Sequence, residues 1–356
     1  KNLEMTCSEL NNLETILVTG GCGFIGTTLI RRLLMETDAQ IINIDKMGYA
    51  SDLTSIQSKL EELGEKGMNR HIHIQLDLKD KDKLEQVFSS FNPDIVFHLA
   101  AESHVDRSIE NPEIFISSNI VGTFNILEVA RNQFASMKGF RSEGFRFVHV
   151  STDEVFGSLG SEGYFSETSS YDPRSPYSAS KAASDHLARA WFHTYDLPVI
   201  ITNCSNNYGP WQFPEKLIPV VIRNAISGRS IPIYGDGQNV RDWLYVEDHI
   251  DAMLIAACRG RLGKSYCIGG NNERSNLEIV EEICKILDRL IPNKHHNQLI
   301  ELVNDRPGHD KRYAIDSSLI QNELKWSPST SFPEGLEHTV RWYLQNRSWL
   351  NKKIVN

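Results

Sequence analysis

The chain has 356 residues, 40% hydrophobic and 23% charged, and 46 Asp plus Glu outweigh 37 Lys plus Arg for a net charge of −9. A domain takes roughly 100–200 residues, so this length predicts one large or two unequal domains, and the composition excludes wholesale disorder. An acidic chain has no general attraction for nucleic acid or an anionic membrane surface, and no apolar run approaches the roughly 20 residues of a membrane span. The 6 cysteines are irregularly spaced without a Cys-x-x-Cys pair, which predicts reduced thiols and no metal site. Residues 1–14 lack the apolar core of a signal peptide, so a flexible tail on a cytoplasmic protein is expected.

Residues 15–19 form the first strand, a β-branched apolar run. A glycine turn at 20–26 leads into an apolar helix through residue 34. Strands follow at 40–44, 71–76, 94–99 and 146–151, with a helix at 118–131 between the last two. Ser175-Pro176 opens another helix, Ser at the N-cap and Pro in the first turn, which ends near Tyr195 before Pro198. A strand at 199–203 comes next, and residues 202–207 are expected to remain in the same sheet and line a cleft. Strands alternating with helices at this spacing predict an α/β fold with a parallel sheet covered on both faces. From Pro210 onward prolines break the chain into shorter elements, which predicts a smaller domain over 206–356, some of it crossing back to the sheet.

The turn Gly20-Gly-Cys-Gly-Phe-Ile-Gly26 fits both GxxGxxG and GxGxxG. Glycines let a backbone approach a pyrophosphate closely, and the helix that follows offers free N–H groups and a positive dipole end. A plain strand–helix turn can look the same. Here an acid, Asp45, ends the next strand 19 residues after Gly26. A carboxylate there accepts bonds from both ribose hydroxyls and repels a 2′-phosphate, which favours NAD over NADP, while Lys46 beside it weakens the contrast. Asp77, after the third strand, either bonds the adenine amine or is an ordinary strand-end acid. These features predict a Rossmann-type doubly wound sheet over residues 15–205.

Tyr177-Ser-Ala-Ser-Lys181 places two side chains on one helix face. An ammonium and a cationic nicotinamide nearby lower a phenol's pKa, making Tyr177 a base for alcohol oxidation. A surface pair of this spacing also arises by chance. Ser151-Thr-Asp-Glu154 follows the fifth strand, at the end where open sheets build their sites. Two carboxyls in one low-dielectric cleft have their pKa values pushed apart, so Asp153 and Glu154 can serve as acid and base. Such a pair adds a proton-transfer step to oxidation, namely elimination of water; a solvated acidic loop is the bland alternative.

Several stretches carry a resemblance: TGGCGFIG (19–26), AAESHVDRSI (100–109), STDEVFG (151–157), SPYSASKAASDH (175–186), TNCSNNYGP (202–210), FPEKLIP (213–219), PIYGDG (232–237), RDWLYVEDH (241–249) and DRPGHDKRYAID (305–316). Over about residues 15–345 the chain resembles extended short-chain dehydrogenases/reductases, and among them the dTDP-glucose 4,6-dehydratases. Related decarboxylases and GDP-mannose dehydratases usually carry a hydroxyl residue before the Glu, and epimerases lack the acid pair. The resemblance implies that Tyr177 takes the sugar 4-hydroxyl proton as hydride passes to NAD⁺. Glu154 then removes the C5 proton, Asp153 protonates the departing C6 hydroxyl, and hydride returns to C6, so NAD is tightly held and regenerated. It places Gly20, Gly23, Phe24, Ile25, Gly26, Asp45, Lys46, Asp77, Leu78, Leu99, Ala100, Ala101, Ser118, Tyr177, Lys181 and Asn207 at the cofactor. Ser103 and Thr152 would contact the sugar, Asn206, Lys216, Leu217, Arg241, Asn272, Arg306 and His309 would hold the nucleotide diphosphate, and Pro232 and Tyr234 would also bind the substrate.

Gly48, Ser118, Phe156, Trp211-Gln212 and Cys267 depart from the usual residues without removing a catalytic group. They bear on affinity and base preference. His98 reads as a core histidine, and His295-His296 as a polar loop pair without carboxylate company. Apolar positions along 118–131 are numerous enough to cover the sheet and face a second subunit, and the resemblance implies a homodimer. Other functions remain open at this stage: dehydration of UDP-glucose or another nucleotide sugar, epimerisation or decarboxylation on the same scaffold, or a catalytically silent nucleotide or redox sensor.

Overall fold

The fold comes from a computed structural model, which describes residues 10 and 12–352. Six strands precede residue 205: β1 (Thr15–Thr19), β2 (Gln40–Asp45), β3 (His71–Gln75), β4 (Ile95–His98), β5 (Arg146–Thr152) and β6 (Val199–Cys204). Six more follow among the described residues: β7 (Asn206–Tyr208), β8 (Ile231–Tyr234), β9 (Val240–Tyr245), β10 (Ser265–Ile268), β11 (Glu273–Ser275) and β12 (Ile300–Val303). The large sheet is parallel throughout, in the order β10-β6-β5-β4-β1-β2-β3. The order reverses beside β1, which opens a crevice at the carboxyl ends of β1 and β4.

Alternation along β1 shows how the sheet is covered. Leu17 points to the face packed by Ile126, Leu127 and Ala188. Ile16 and Val18 point to the face packed by Leu29, Leu33, Met253 and Leu254. The covering helices are α1 (Phe24–Glu36), α2 (Gly122–Ser136), α3 (Pro176–Tyr195) and α4 (Val246–Arg259). Ser175 caps α3 as expected, in a reciprocal box with Ser178, and Pro176 occupies the first turn. The helix anticipated from residue 118 instead begins as a π-helical segment, Ile116–Val121, that runs into α2. Such wide turns displace side chains out of the regular helical register and recur at functional sites.

Three sequence expectations change. The tail assigned to 1–14 falls largely on residues 1–9 and 11, outside the described residues. Its end is not loose, because Leu10 is buried against the β1 face of the core and accepts the Leu13 N–H through its carbonyl. Residues 206 and 207 leave the large sheet: β6 has its partner in β10 only as far as Cys204, and β7 pairs instead with β9 in a three-stranded sheet, β11-β9-β7. The chain also returns to the large sheet after residue 206, through α4 and β10. The remaining lobe packs β7, β8, β9, β11 and β12 and the helices Leu217–Ile226, Asn276–Leu290 and Phe332–Gln345 around Ile222, Ile283, Leu336 and Tyr343. His98 is a core histidine, bridging the hydroxyls of Thr19 (2.7 Å) and Thr123 (2.9 Å). His296 has carboxylate company after all, with Asp288 Oδ1 2.5 Å from its Nδ1.

Candidate active site

A cleft of about 380 Å³ runs along the carboxyl ends of the large sheet and under the smaller lobe. Its floor begins at the glycine turn. Gly20 has φ +70°, and a Cβ there would meet the backbone of Ala100 at 2.7 Å; a Cβ on Gly26 would meet Gly20 O at 2.2 Å. Only glycine lets the turn lie flat against the start of α1. Gly23 precedes α1 without any side-chain cap, so the first N–H groups of the helix face the cleft for an anion. Asp45, buried at the end of β2, is held by Cys22 N (3.0 Å), Met47 N (2.8 Å) and Ser51 Oγ (2.8 Å). Lys46 turns away from it and reaches Glu102 Oε1 at 2.5 Å and Ser118 Oγ at 3.1 Å. The acid therefore stands at the ribose end with its cationic neighbour engaged elsewhere. Phe24, Ile25, Asp77, Leu78, Leu99, Ala100 and Ala101 line the same half of the cleft. An uncapped helix start, a glycine cradle and a fixed strand-end acid together fit a dinucleotide such as NAD.

The other half of the floor is the end of β5. Thr152 accepts the N–H of Glu154 at 3.2 Å and donates to Asp153 Oδ1 at 3.3 Å, while Asp153 Oδ2 is buried without a partner. Burial, and then the charge of Glu154, push Asp153 well above the ordinary carboxyl range. Burial also raises Glu154, but Arg241, Lys216 and Arg306 oppose it. One carboxyl is thus poised to give a proton and its neighbour to take one. Tyr177 and Lys181 enter from α3 with Tyr177 facing Thr152. From the Tyr-x-x-x-Lys spacing a lowered phenol pKa is expected. In the protein itself burial, Glu154 and Cys204 push Tyr177 upward, and the Thr152 hydroxyl pulls it back. Lys181, with its ammonium donated to Val150 O at 2.9 Å, is lowered by burial and supported by Asp185.

Ser103, Asn206, Asn207, Lys216 and Leu217 close the cleft from above. Lys216 Nζ donates to Ser103 O (2.8 Å), a bond between the two lobes. Asn206 Oδ1 is buried without a partner, while the Asn207 amide is committed to Ser205 O and to His249. The six remaining predicted substrate residues, Pro232, Tyr234, Arg241, Asn272, Arg306 and His309, do not line this cleft. They lie beyond its lining, Arg241 buried close enough to act by its charge on both Asp153 and Glu154. Tyr234 OH and Arg306 both reach Asp106, at 3.3 and 3.1 Å. Arg241 lies over the Tyr313 ring and donates to Asp310 O, and its charge together with that of Arg306 holds His309 below its ordinary value behind the effect of burial. The Asn272 side chain is occupied by Arg274.

A family model described as GDP-mannose 4,6 dehydratase matches residues 17–339. A dTDP-glucose 4,6-dehydratase of Neisseria meningitidis is 50% identical over 343 residues, covering 95% of each chain. The chain belongs to the dTDP-glucose 4,6-dehydratase family. Among solved structures, family members from Bacillus anthracis, in complex with NAD, and from Streptomyces venezuelae, with NAD and TYD bound, each share 39% identity with it. Their TM-scores are 0.83 and 0.86, and the matches cover 96% and 95% of this chain and 99% of theirs.

Within this family member, sequence reasoning missed several cleft residues. Tyr49 follows Asp45 by four residues, yet its hydroxyl reaches Glu215 of the other lobe at 3.1 Å and its ring carries Arg107 at 3.7 Å. Ser51 positions Asp45. Cys204, Ser205 and Trp243 line the wall beside Asp153 and Tyr177. No spacing rule links these positions; they meet because three strand-end loops converge on one crevice.

Proposed function

We propose that this protein is an NAD-dependent 4,6-dehydratase acting on dTDP-glucose, a carbon–oxygen lyase that yields dTDP-4-dehydro-6-deoxyglucose. The observation that carries this reading is the placement of Asp153 and Glu154 side by side at the end of β5, within the same cleft as Tyr177. Gly20, Gly23, Gly26, Asp45, Tyr177 and Lys181 would hold the cofactor. When bound, NAD supplies the two-electron oxidation at sugar C4 and the matching reduction at C6. Tyr177 takes the proton of the C4 hydroxyl, with Thr152 orienting that hydroxyl. The resulting ketone acidifies the C5 proton, which Glu154 removes. Asp153, kept protonated by its surroundings, gives its proton to the departing C6 hydroxyl, so water leaves. C5 must regain a proton in the product, and Glu154 holds one to return.

Cationic Lys216, Arg241 and Arg306 at the outer end suit the diphosphate, since guanidinium and ammonium groups make charge-assisted bonds to phosphate oxygens. The reading includes a homodimer and a cytoplasmic location. For the first, Ile109, Ile114, Ile116, Val121 and Phe124 are exposed along one stretch, and Val121 at 42% and Phe124 at 39% have no reason to face water in a monomer. A monomeric mass by light scattering at micromolar concentration contradicts that part. Among the described residues no helix is long and apolar enough to cross a membrane.

The test is incubation of the purified protein with dTDP-glucose and, separately, with UDP-glucose, without added reductant. Loss of water from dTDP-glucose by mass spectrometry, with alkali absorbance typical of a 4-keto sugar, is the expected result. Loss from UDP-glucose alone would overturn the substrate, and no loss from either would overturn the activity.

A further inference from the structure

The proton steps above leave one buried carboxylate beneath the site without a task. Asp185 has 0% exposure and lies one helical turn beyond Lys181. Tyr177, Lys181, Asp185 and Arg189 recur at a spacing of four along α3, so phenol, ammonium, carboxylate and guanidinium share the helix face turned to β5 and β6. Both carboxylate oxygens are engaged. Oδ1 lies 2.9 Å from His149 Nε2, and Oδ2 accepts from Tyr171 OH at 2.7 Å and from Asn203 Nδ2 at 3.1 Å. Asn203 Nδ2 is also 3.1 Å from Thr152 O, the carbonyl immediately before Asp153. Arg189 in turn donates to Tyr171 OH at 2.7 Å.

A carboxylate taken out of water costs several kcal/mol unless it is compensated, and a hydrophobic replacement is often as stable. A charge kept in such a place therefore asks for a role. His149 does not neutralise it: burial, with Lys181 and Arg189, holds that imidazole below its ordinary value, so it acts as a neutral donor. Lys181 is faced by Tyr177 and Asp185 from its own helix, by His98 of β4, by His149 of β5 and by Cys204 of β6. Burial keeps both histidines neutral and, chiefly with Asp153, pushes the Cys204 thiol to about 12. Among these groups Asp185 is the ionised acid.

We propose that Asp185 is a positioning residue for the dehydration: a buried counter-charge one helical turn from Lys181, which acts on that ammonium through its field while Val150 O accepts its hydrogen bond, and which, through Asn203, pins the strand end carrying Thr152, Asp153 and Glu154. This rests on the reading of Tyr177 and Lys181 as the proton-handling pair. Removing the negative charge leaves a buried ammonium to its desolvation, so Lys181 loses its proton at lower pH. The experiment is a carbon-13 titration of ε-labelled lysine in the cofactor-bound protein and in Asp185→Asn, with Lys181→Arg to assign the signal, beside the pH dependence of kcat. The wild-type Lys181 is expected to stay charged at neutral pH, Asp185 opposing the effect of burial. In Asp185→Asn its midpoint and the alkaline limb of kcat are expected to fall together by about one pH unit or more, with KM within about twofold. Asp185→Glu should restore most of the midpoint. An unchanged midpoint and limb, or an equal loss of kcat at every pH, would overturn the proposal. If Asp185→Asn does not fold, the wild type alone decides, because a Lys181 already uncharged at neutral pH has no counter-charge acting on it. A wild type that dehydrates neither sugar overturns the reading of the site, while the lysine titration still reports on Asp185.

Discussion

On the β1–β2 side of the cleft the ligand-facing surface is mostly backbone: Gly20, Gly23 and Gly26, the uncapped start of α1, and Asp45 held by two backbone N–H groups. On the opposite side Lys216 lines the cleft and Arg241 and Arg306 stand behind it, long cationic side chains from three separate segments that are held by backbone carbonyls and by Asp106. The first surface has nothing to rearrange, and at Gly20 and Gly26 it has no room for a Cβ. The second is adjustable, and each cation contributes a share. A cofactor that stays bound through every turnover suits the first construction, and a substrate that must enter and leave suits the second. The two sides should consequently fail in different ways.

The largest loss is expected where they meet. Tyr177→Phe removes the base of the first step and should lower kcat by about 10⁴-fold, with no reduced nicotinamide visible after substrate is added. Glu154→Gln spares that step and stops the next. Its turnover should fall by about 10³-fold while enzyme-bound reduced nicotinamide accumulates in the near ultraviolet. Equal spectra in the two variants would remove the division of labour between Tyr177 and the acid pair. Asp153 is held well above the ordinary carboxyl range, so it still carries its proton at neutral pH and elimination persists there.

Next in size is Gly26→Ala. Its new Cβ would lie 2.2 Å from Gly20 O, backbone against backbone, so the turn must move. The purified variant should carry less than about a tenth of the wild-type cofactor, and a melting point lower by several degrees, since steric strain of this kind costs on the order of 1–3 kcal/mol. Arg306→Ala should behave differently. A charge-assisted bond is worth about 1.5–3 kcal/mol, so KM should rise roughly 10–100-fold with kcat and bound cofactor nearly unchanged, and the effect should shrink with added salt. A fall in bound cofactor in Arg306→Ala would blur the contrast between the two sides.

The same contrast explains what could be read from the sequence. The backbone-built side is contiguous: strand, glycine turn, helix and strand-end acid fall within residues 15–45, and the two strands appear within a residue of their expected bounds, while the helix starts inside the glycine turn at Phe24 and runs on to Glu36. The acid pair and the Tyr-x-x-x-Lys helix were legible for the same reason. The cationic side was legible only through resemblance, because Ser103, Lys216, Arg241 and Arg306 carry no periodicity or spacing that unites them. Even then resemblance placed six residues from beyond the cleft in one group with its lining. It could not indicate that Arg241 lies over Tyr313 and acts on Glu154 by its charge. Lys46 is the instructive case, since it sits next to Asp45 in sequence and its ammonium is engaged with Glu102 on the loop after β4. Adjacency in the chain said nothing about which charge it would meet.

The smallest effect tests how far the cofactor side is over-determined. Ser51→Ala deletes one of the three bonds to Asp45 and leaves Cys22 N and Met47 N in place. A hydroxyl-to-carboxylate bond contributes about 1 kcal/mol, so NAD affinity, measured by calorimetry on protein stripped of cofactor, should weaken only about fivefold. Asp45→Ala in the same assay should weaken it far more, because it removes the acceptor itself. A Ser51→Ala loss as large as that of Asp45→Ala would mean that the two backbone donors do not hold the carboxylate alone, and that this side, too, depends on individual side chains.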